Sequence, residues 1–468
     1  MLAILIISSL PLYVLYVVYE YLNSPLRNIP AAHPTTPFSS LWILSRTLTG
    51  QRNRSIHAAH LKHGSIIRLG PSEISINDPA LVKTVYSAGN SFDKPAWYHI
   101  FTNYGSQPLF ALLHGKPHAQ RKKMLSKIYS KSSISNSPSL ATTISTCLES
   151  HLIPSLSSQE THEVHDLFNA LAMDLVTAHL FTSRNSTRFL ESKLERHHFF
   201  EDLYQSRRKY FAWSSEVPIL VWLVGKATFG RFRIVPGWVD DVNTEIENWN
   251  MKMCQACEDN MADEKTDDED CVYYRLRSRG ILSQLEAASE VLDHIGAGHE
   301  TTGVALTYIT HHLSLSPHHQ ALLRAEIVSV GVSPTFKQVD SLPLLNAIIL
   351  ETLRLNPPIP GSQRRVTPKA GCTLGEYHIP GGVIVAGQSW SLHRGFWHDP
   401  EVWRPERWLE GSGDKEGGER WLWMFGSGGR GCVGKWLATY EMKMTLAAIY
   451  SRFETSVVDD EGIEMDDR

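Results

Sequence analysis

Residues 425–434 of this 468-residue chain read Phe-Gly-Ser-Gly-Gly-Arg-Gly-Cys-Val-Gly, and no other stretch is as informative. Four glycines precede Cys432, so the loop can lie against a flat cofactor and direct backbone N–H groups at the sulfur. The helical pattern of residues 435–438 adds its positive end, and both effects favour the thiolate, which can ligate iron. Arg430 is placed to pair with a carboxylate of such a cofactor. The alternative is a glycine-rich turn with a buried structural cysteine.

The spacing Phe-x-x-Gly-x-Arg-x-Cys-x-Gly, matched here at every fixed position, resembles the signature of the cytochrome P450 family. The resemblance implies a mainly α fold: a helical body with small β-sheets. It also implies haem b (iron protoporphyrin IX) as cofactor, with Cys432 as the axial iron ligand. Phe425, Gly426 and Arg430 then belong to the haem-binding loop.

A second motif of this resemblance is Glu351-Thr-Leu-Arg354, in a helical pattern that we expect to start at Asp340 or Ser341. The i, i+3 spacing places Glu351 and Arg354 on one helix face, where they can form an ion pair. Such pairs on a surface contribute only about 0–1 kcal/mol. In the family the pair is joined by an arginine from a Pro-Glu-Arg segment, which matches Arg407 here, and the three residues lock the fold around the haem loop.

The third motif is Ala-Gly-His-Glu-Thr-Thr at residues 297–302, which resembles the oxygen-activating segment of the family. Ala297 and Gly298 precede Thr301 by four and three residues, so a thin patch and a hydroxyl share one helix face. This arrangement leaves room for dioxygen beside a proton donor, and Glu300 can feed protons from solvent. The alternative is that Thr301 bonds back to a helix carbonyl and Glu300 is a solvated helix residue.

Basic residues near the haem edge follow from the resemblance as well. Arg365 and His393 stand where the family binds the haem propionates. His118 and Lys122 occupy the spacing of a Trp-x-x-x-Arg pair that the family often has, and they depart from it in both residue types. Each of these two residues has a surface cation as its alternative role.

Two aromatic-rich stretches stand where the family has a substrate-facing loop and the roof of the substrate pocket. Core packing explains either stretch equally well, because aromatic side chains bury much area. The first stretch comprises Phe92, Trp97, Tyr98, Phe101 and Tyr104, and the second comprises Phe199, Phe200, Tyr204, Tyr210, Phe211 and Trp213.

The composition excludes several classes. The net charge of -4 leaves no basic face for nucleic acid as the main partner. Six irregularly spaced cysteines argue against a disulfide scaffold and for a reducing compartment. Cys254 and Cys257 look like a redox pair but lie in a helical stretch, and His294 and His299 lack a second ligand pair with zinc spacing. We interpret these four as ordinary helix residues.

The N-terminus predicts a membrane anchor. Residues 1–19 carry no charge, which suffices to cross a hydrocarbon core of about 30 Å at about 1.5 Å per residue. We therefore predict an anchor at residues 1–22, a proline-rich connector at 23–37 and one catalytic domain at 38–468. A cleaved secretory signal is the alternative. Basic residues follow the segment and none precedes it, which predicts the endoplasmic reticulum membrane with a cytosolic body.

The remaining chain reads as mostly helical, with long helical patterns at residues 160–255, 283–330 and 338–356. Residues 66–76 read as a hairpin, because alternating β-branched runs flank Gly-Pro-Ser. We interpret the acidic run 258–270 as a solvated loop. Residues 411–418 are glycine-rich, which predicts a surface linker.

The resemblance covers nearly the whole chain and implies a monooxygenase that inserts one oxygen atom from O2 into an apolar small molecule. The resemblance implies electrons from NADPH, delivered by NADPH-cytochrome P450 reductase, and Arg121, Lys122, Lys123 and Lys435 are candidates for its docking face. Residues 92–98 and 129–132 look most like fungal members that tailor terpenoids, polyketides or alkaloids. One alternative is a haem-thiolate isomerase or dehydratase without a reductase. Another is a haem-binding remnant, suggested by the chain stopping at Arg468.

Overall fold

The computed structural model describes residues 15–460, except residues 88, 90, 91, 159 and 263–270. Most of the predicted anchor, residues 1–14, therefore lies outside the described residues. Residues 15–23 are helical and followed by turns. Within the described ranges, no helix combines the length and the apolar character needed to cross a membrane.

Helices make up most of the described chain, which confirms the prediction of a mainly α fold with small sheets. The α-helices are α1 (Leu41–Leu48), α2 (Arg52–His63), α3 (Pro79–Tyr86), α4 (Gly115–Ser126), α5 (Lys131–Ser135), α6 (Pro138–Thr146), α7 (Ile153–Leu156), α8 (Val164–Phe181), α9 (Lys193–His197), α10 (Phe211–Glu216), α11 (Pro218–Ala227), α12 (Trp238–Ala262), α13 (Val272–Arg277), α14 (Gln284–Ser314), α15 (Pro317–Ser329), α16 (Phe336–Asp340), α17 (Pro343–Leu355), α18 (Ser389–Leu392), α19 (Gly413–Gly418) and α20 (Lys435–Tyr450). Single π-helical turns cover Cys147–Leu152 and His198–Gln205. Short 3-10 turns cover Ala96–Phe101, Arg208–Tyr210, Ser278–Gly280, Pro405–Trp408, Glu419–Trp421 and Gly428–Arg430.

The strands form two small sheets. They are β1 (Ile66–Gly70), β2 (Glu73–Ile76), β3 (Ser362–Val366), β4 (Cys372–Leu374), β5 (Tyr377–Ile379) and β6 (Ile384–Gln388). The larger sheet has the order β1-β2-β6-β3, and only the β2–β6 pair is parallel. The antiparallel β1–β2 pair, with Ile66 opposite Ile76, confirms the predicted hairpin. β4 and β5 pair separately as a short antiparallel hairpin.

The long helix α14 runs through the largest hydrophobic cluster and positions the site. Ser283 caps its start: the Ser283 hydroxyl accepts from the N–H of Glu286, and the Glu286 carboxylate accepts from the N–H of Ser283. The helix packs on α8 through two glycines. A Cβ on Gly298 would lie 2.6 Å from Val176, and one on Gly303 would lie 2.3 Å from Asn169. Glycine at both positions therefore brings the two helix backbones together.

Two sequence-based predictions, one of a helix start and one of a linker, were wrong. The helix that carries Glu351 begins at Pro343 rather than Asp340 or Ser341, because proline occupies the first helical position, where its missing N–H costs nothing. Residues 413–418 form the short helix α19 rather than a plain linker. Gly417 and Gly418 permit this, since a Cβ at either would lie within 2.3 Å of the ring of Phe396 or Trp397.

The predicted helical run 160–255 is divided rather than continuous. α8 ends at Phe181, where Thr182 adopts a φ of 82°, and α12 begins only at Trp238. The acidic run also differs from the prediction in part. Residues 258–262 continue α12 instead of forming a loop, and residues 263–270 lie outside the described residues.

Candidate active site at the Cys432 loop

The loop before α20 holds Cys432 by its backbone. The N–H of Cys432 donates to the carbonyl of Phe425 at 2.8 Å, so the two ends of the loop are closed on each other. Gly426 and Gly428 have φ values of 63° and 64°, in the left-handed region that favours glycine. α20 begins three residues after the cysteine, at Lys435. The sulfur therefore sits on a tight loop immediately before a helix N-terminus, as the glycine spacing predicts.

Opposing effects act on the Cys432 thiol. Burial among protein atoms raises its pKa, while the backbone N–H groups of Gly434 and Lys435 and the Lys122 ammonium lower it. The residue is exposed. A ligand that reaches the sulfur meets a thiol whose anionic form is stabilised by two N–H groups and a cation.

Lys122 is tied to this loop. Its ammonium donates to the carbonyl oxygens of Gly429 at 2.9 Å and Gly431 at 2.7 Å, so it braces the glycine-rich segment from α4. This contact places the cation beside Cys432 and accounts for its effect on the thiol pKa. Lys122 thus acts on the cysteine loop, a contact that differs from the predicted one with a propionate.

The structure brings Glu351, Arg354 and Arg407 together in a network without exposed side-chain surface. The Glu351 carboxylate accepts two bonds from Arg354 at 2.9 Å and one from Arg407 at 3.3 Å. It also accepts from the Trp408 indole N–H and the Arg404 backbone N–H, both at 2.9 Å. Five donors therefore satisfy one buried carboxylate, which compensates the cost of removing it from water.

His393 links this network to the cysteine loop. One ring nitrogen, Nδ1, lies 3.0 Å from the carbonyl of Arg354, and the other, Nε2, accepts from the backbone N–H of Trp423 at 2.8 Å. Burial lowers the pKa of His393 to about 3, so the ring is neutral. Because both nitrogens are used by backbone groups, we assign His393 to positioning the loop and leave it out of the proposed propionate contacts.

Next to the loop lies a group of basic side chains, the cation cluster, formed by the buried Lys94 and Arg365 and the largely buried Arg430, with the buried His118 beside them. Arg430 donates to the carbonyls of residues 112 and 113 at 2.8 and 2.5 Å, and Arg365 donates to the carbonyl of its neighbour Arg364 at 2.8 Å. Asp93 lies 4.0 Å from Arg430. Within the described part of the chain, no carboxylate lies within 4.0 Å of Arg365 or Lys94.

Burial and, after it, electrostatic repulsion both act against positive charge in the cation cluster. Burial lowers the pKa of Arg430 to about 10, and the Arg365 charge adds to that shift. Burial, followed by the charges of Arg430 and Lys94, lowers the pKa of His118 to about 3. His118 is only 5% exposed, which rules out its surface-cation alternative. A pKa this low leaves His118 neutral, so Lys94, Arg365 and Arg430 carry the positive charge next to the Cys432 loop.

Haem fits this arrangement. Its two propionates carry the negative charges that the cation cluster lacks, and the thiolate of Cys432 is a suitable iron ligand. Arg365, Arg430 and Lys94 are the residues that would hold the propionates, and Cys432 would hold the iron. Phe425 and Gly426, predicted for the haem-binding loop, stand at the start of the Cys432 loop, and Phe425 is partly buried against the main hydrophobic core.

Lys94 was missed from the sequence. It is 6% exposed, and its ammonium donates to the carbonyl of Phe110 and lies 4.3 and 4.1 Å from the ring centroids of Tyr98 and Phe110. Burial lowers its pKa well below the usual range, and the charges of Arg365 and Arg430 lower it further. A lysine beside an aromatic run was the only signal in the sequence, and it does not distinguish a buried cation from a surface one.

On α14, Thr301 makes the hydrogen bond to a helix carbonyl that was its alternative role, and Glu300 is held by two side chains. The Thr301 hydroxyl donates to the carbonyl of Ala297 at 2.7 Å. Glu300 accepts from the Tyr204 hydroxyl at 2.9 Å and pairs with Arg208 at 2.9 Å. Gly298 faces Val176 of α8, so its small size serves helix packing rather than an open groove.

The residues of the two aromatic stretches differ in their contacts and burial. Trp97 and Phe101 of the first stretch meet Phe211 of the second, with ring centroids 6.4 and 5.9 Å apart. Tyr104 instead donates to the carbonyl of Glu247 at 2.5 Å, in the interior. Tyr98 also contacts Phe101 and Phe110, whereas Tyr210 packs on Trp238. The residues buried in core clusters are Phe92, Phe199 and Phe200.

Two members of the predicted docking face make contacts within the molecule. The Lys122 ammonium donates to the glycine loop, as described above. Arg121 pairs with Glu290 of α14 at 2.7 Å, and its side chain is only 11% exposed, so it ties α4 to α14. Lys123 and Lys435 are exposed. The sequence could not separate these residues, because neighbouring positions on α4 face opposite sides.

Comparisons with known proteins agree with this geometry. The family model described as Cytochrome P450 matches residues 30–468. The chain is 28% identical to "Cytochrome P450 monooxygenase cicH" of Emericella nidulans, with 98% of this chain and 94% of the relative covered. It is 26% identical to "Pisatin demethylase" of Fusarium vanettenii, with 95% and 88% covered. It is 29% identical to "Cytochrome P450 monooxygenase avaI" of Aspergillus versicolor, with 83% and 95% covered.

Proposed function

The chain belongs to the cytochrome P450 family and is an oxygen-incorporating oxidoreductase, and we propose that it hydroxylates or otherwise oxidises an apolar small molecule in a tailoring step of fungal secondary metabolism. One observation carries the proposal: an exposed cysteine on a glycine loop lies next to Arg365 and Lys94, two buried cations with no carboxylate within 4.0 Å among the described residues. The similarity to fungal monooxygenases supports the pathway type.

A bound haem would supply the iron chemistry that activates dioxygen. The chain's own residues would hold and orient that group: Cys432 presents its sulfur from a closed loop, and Arg365, Arg430 and Lys94 would neutralise carboxylates at its edge. Glu351, Arg354 and Arg407 keep the segment before the loop in place. His393 connects Arg354 of this network to the backbone of Trp423, two residues before Phe425.

Glu300 is the residue best placed to move protons. It is 28% exposed at its side chain, bonded to Tyr204 and Arg208, and adjacent in sequence to Thr301. A carboxylate that reaches solvent on one side can exchange protons with it and pass them inward. Because the Thr301 hydroxyl hydrogen is used on Ala297, its oxygen remains available as an acceptor.

We expect NADPH-cytochrome P450 reductase to deliver the electrons, and the exposed Lys123 and Lys435 support a docking surface on the cysteine side of the molecule. Replacing Lys435 with Glu should raise the KM for the reductase several-fold and weaken its dependence on salt. An unchanged KM would place the docking surface elsewhere.

Membrane association is a further part of this proposal, with the endoplasmic reticulum membrane as the expected location and a cytosolic body. Its support is the apolar helix α11, which has no buried residue and exposes Ile219 by 71% and Trp222 by 60%. In protein shortened by the predicted anchor, residues 1–22, Ile219→Ser/Trp222→Ser should reduce flotation with phospholipid vesicles, whereas Val332→Ser, at an apolar site 94% exposed elsewhere, should not. Equal flotation of all variants would contradict a role for α11.

The proposed activity is tested with purified enzyme, reductase, NADPH and 18O2, on a panel of terpenoid, polyketide and alkaloid substrates. We expect products that carry one 18O atom, formed only when NADPH, oxygen and reductase are all present. Cys432→Ala should form none. Product formation without NADPH and oxygen would contradict the proposal and support the isomerase or dehydratase alternative.

A further inference from the structure

Two cysteines meet at the corner between α12 and α13, far along the chain from Cys432. The sulfurs of Cys257, near the end of α12, and Cys271, the residue before α13, are 3.8 Å apart. Their side chains are 3% and 5% exposed. We propose that Cys257 and Cys271 form a reversible disulfide when the protein meets a peroxide. This inference does not depend on the proposed activity.

The pairing differs from the one that the sequence suggests. Cys254 and Cys257 have the Cys-x-x-Cys spacing, but the sulfur in contact with Cys257 belongs to Cys271. Cys254 lies against Tyr273, and burial raises its thiol pKa to about 12, which keeps it in the unreactive thiol form. The structure therefore selects one partner of Cys257 among two nearby cysteines.

The corner is held on both sides of the sulfur pair. Glu258, next to Cys257, accepts from the Tyr273 hydroxyl at 2.8 Å and from Arg277 Nε at 2.7 Å, and both donors belong to α13. Gln284, the first residue of α14, also donates to Glu258 at 3.1 Å. These bonds fix the end of α12 against α13, so the sulfurs stay in register. A disulfide bond of about 2.05 Å then requires them to approach by roughly 1.8 Å.

The chemistry balances with hydrogen peroxide as the oxidant. One thiolate attacks peroxide, the O–O bond breaks, and a sulfenic acid and hydroxide form. The second thiolate then attacks the sulfenic sulfur, the S–O bond breaks, and the disulfide forms. The two thiols lose two electrons and two protons, and peroxide ends as two water molecules. A small oxidant suits thiols that are nearly buried, and a thiol reductant reverses the reaction.

The bond would link the end of α12 to the N-cap of α13 and close a loop of about 15 residues in the unfolded chain, which stabilises the folded state. We expect the oxidised protein to melt a few degrees higher than the reduced protein. The haem-binding loop lies elsewhere, so the ferrous carbon monoxide spectrum should not change.

The test is peptide mapping by mass spectrometry, without reduction, of the haem-loaded protein after limited peroxide treatment and alkylation. The expected result is a peptide that joins Cys257 to Cys271, absent before oxidation and removed by dithiothreitol. A Cys254–Cys257 link, or alkylation of both Cys257 and Cys271 at every peroxide dose, would overturn the proposal.

Two variants separate the disulfide from general effects of oxidation. Cys271→Ser keeps an oxygen to accept from the N–H of Tyr274, the bond that the Cys271 sulfur makes at 3.4 Å, so α13 keeps its cap. It should fold normally and lose both the link and the rise in melting temperature. Cys254→Ala should retain both. Loss of the temperature shift in Cys254→Ala but not in Cys271→Ser would also overturn the proposal.

Discussion

The two groups of buried charges near Cys432 differ in how they are neutralised. In the Glu351 network, one carboxylate accepts five hydrogen bonds, and Arg354 and Arg407 donate to further backbone carbonyls such as those of Pro400 and Asp399. In the cation cluster, Arg365 and Lys94 have no carboxylate within 4.0 Å among the described residues. The protein's own residues therefore neutralise the charges of the Glu351 network, whereas Arg365 and Lys94 of the cation cluster are left without a neutralising carboxylate.

This difference separates scaffold from binding site. A buried ion network that is fully bonded holds segments together but has no capacity left for a ligand. Buried cations that repel one another cost stability and are balanced only by an added anion. The contrast predicts opposite responses to mutation: the network loses stability when a member is removed, and the cluster loses ligand affinity.

The largest effect is expected for Glu351→Ala. The substitution leaves Arg354 and Arg407 buried without their carboxylate, at a cost of about 3–5 kcal/mol in the free energy of unfolding. We expect little soluble, haem-loaded protein, measured by expression yield and by urea unfolding of what is recovered. A stable Glu351→Ala protein with full haem content would show that the network does not hold the loop.

Arg365→Gln should act on the cofactor rather than on the fold. Removing one propionate partner should lower haem affinity about tenfold, or about 1.4 kcal/mol, measured by haem transfer to apomyoglobin. The melting temperature of the haem-free protein should stay the same or rise, because repulsion in the cluster decreases. A large loss of stability in the haem-free variant would assign Arg365 to the scaffold.

Glu441 is a third kind of buried ionisable group, because its carboxyl group stays protonated and neutral. Burial raises its pKa to about 8, and its Oε1 has no hydrogen-bond partner. Since the folded state retains the proton that the unfolded state loses above its lower pKa, stability falls as the pH rises from about 4.5 towards 8. Glu441→Gln removes this titration.

The gain in stability of Glu441→Gln over the parent protein should therefore grow by more than about 1 kcal/mol between pH 5 and pH 8. Thermal unfolding at both pH values measures it. A difference that is independent of pH would mean that Glu441 is ionised in the folded protein.

The smallest effect is expected for Glu149→Gln. Glu149 pairs with Arg452 at 2.9 Å, but the two side chains are 50% and 35% exposed. Solvent screening limits such a pair to about 0–1 kcal/mol, so urea unfolding should barely change. This variant is the matched control for Glu351→Ala, and a loss as large as that of Glu351→Ala would remove the distinction between buried and exposed pairs.

The sequence was most informative where chemistry depends on residues close in the chain. The Cys432 loop follows from glycine spacing, and the Glu351–Arg354 pair follows from helix periodicity. Lys94 and the pairing of Glu300 with Arg208 could not be predicted, because they depend on contacts between distant segments. Thr301 and Gly298 show a related limit, because their residue types are also compatible with an open groove. In the structure Gly298 instead packs against α8, and the Thr301 hydroxyl donates to the carbonyl of Ala297.

The most direct measurement is the reduced carbon monoxide difference spectrum of the wild-type protein beside Cys432→Ala and Cys372→Ala. Cys372 lies in β4, away from the loop, and serves as the cysteine control. The account predicts the long-wavelength band of a thiolate-ligated haem in the wild-type and Cys372→Ala proteins and its loss in Cys432→Ala. Retention of that band in Cys432→Ala, or its loss in Cys372→Ala alone, would contradict Cys432 as the iron ligand.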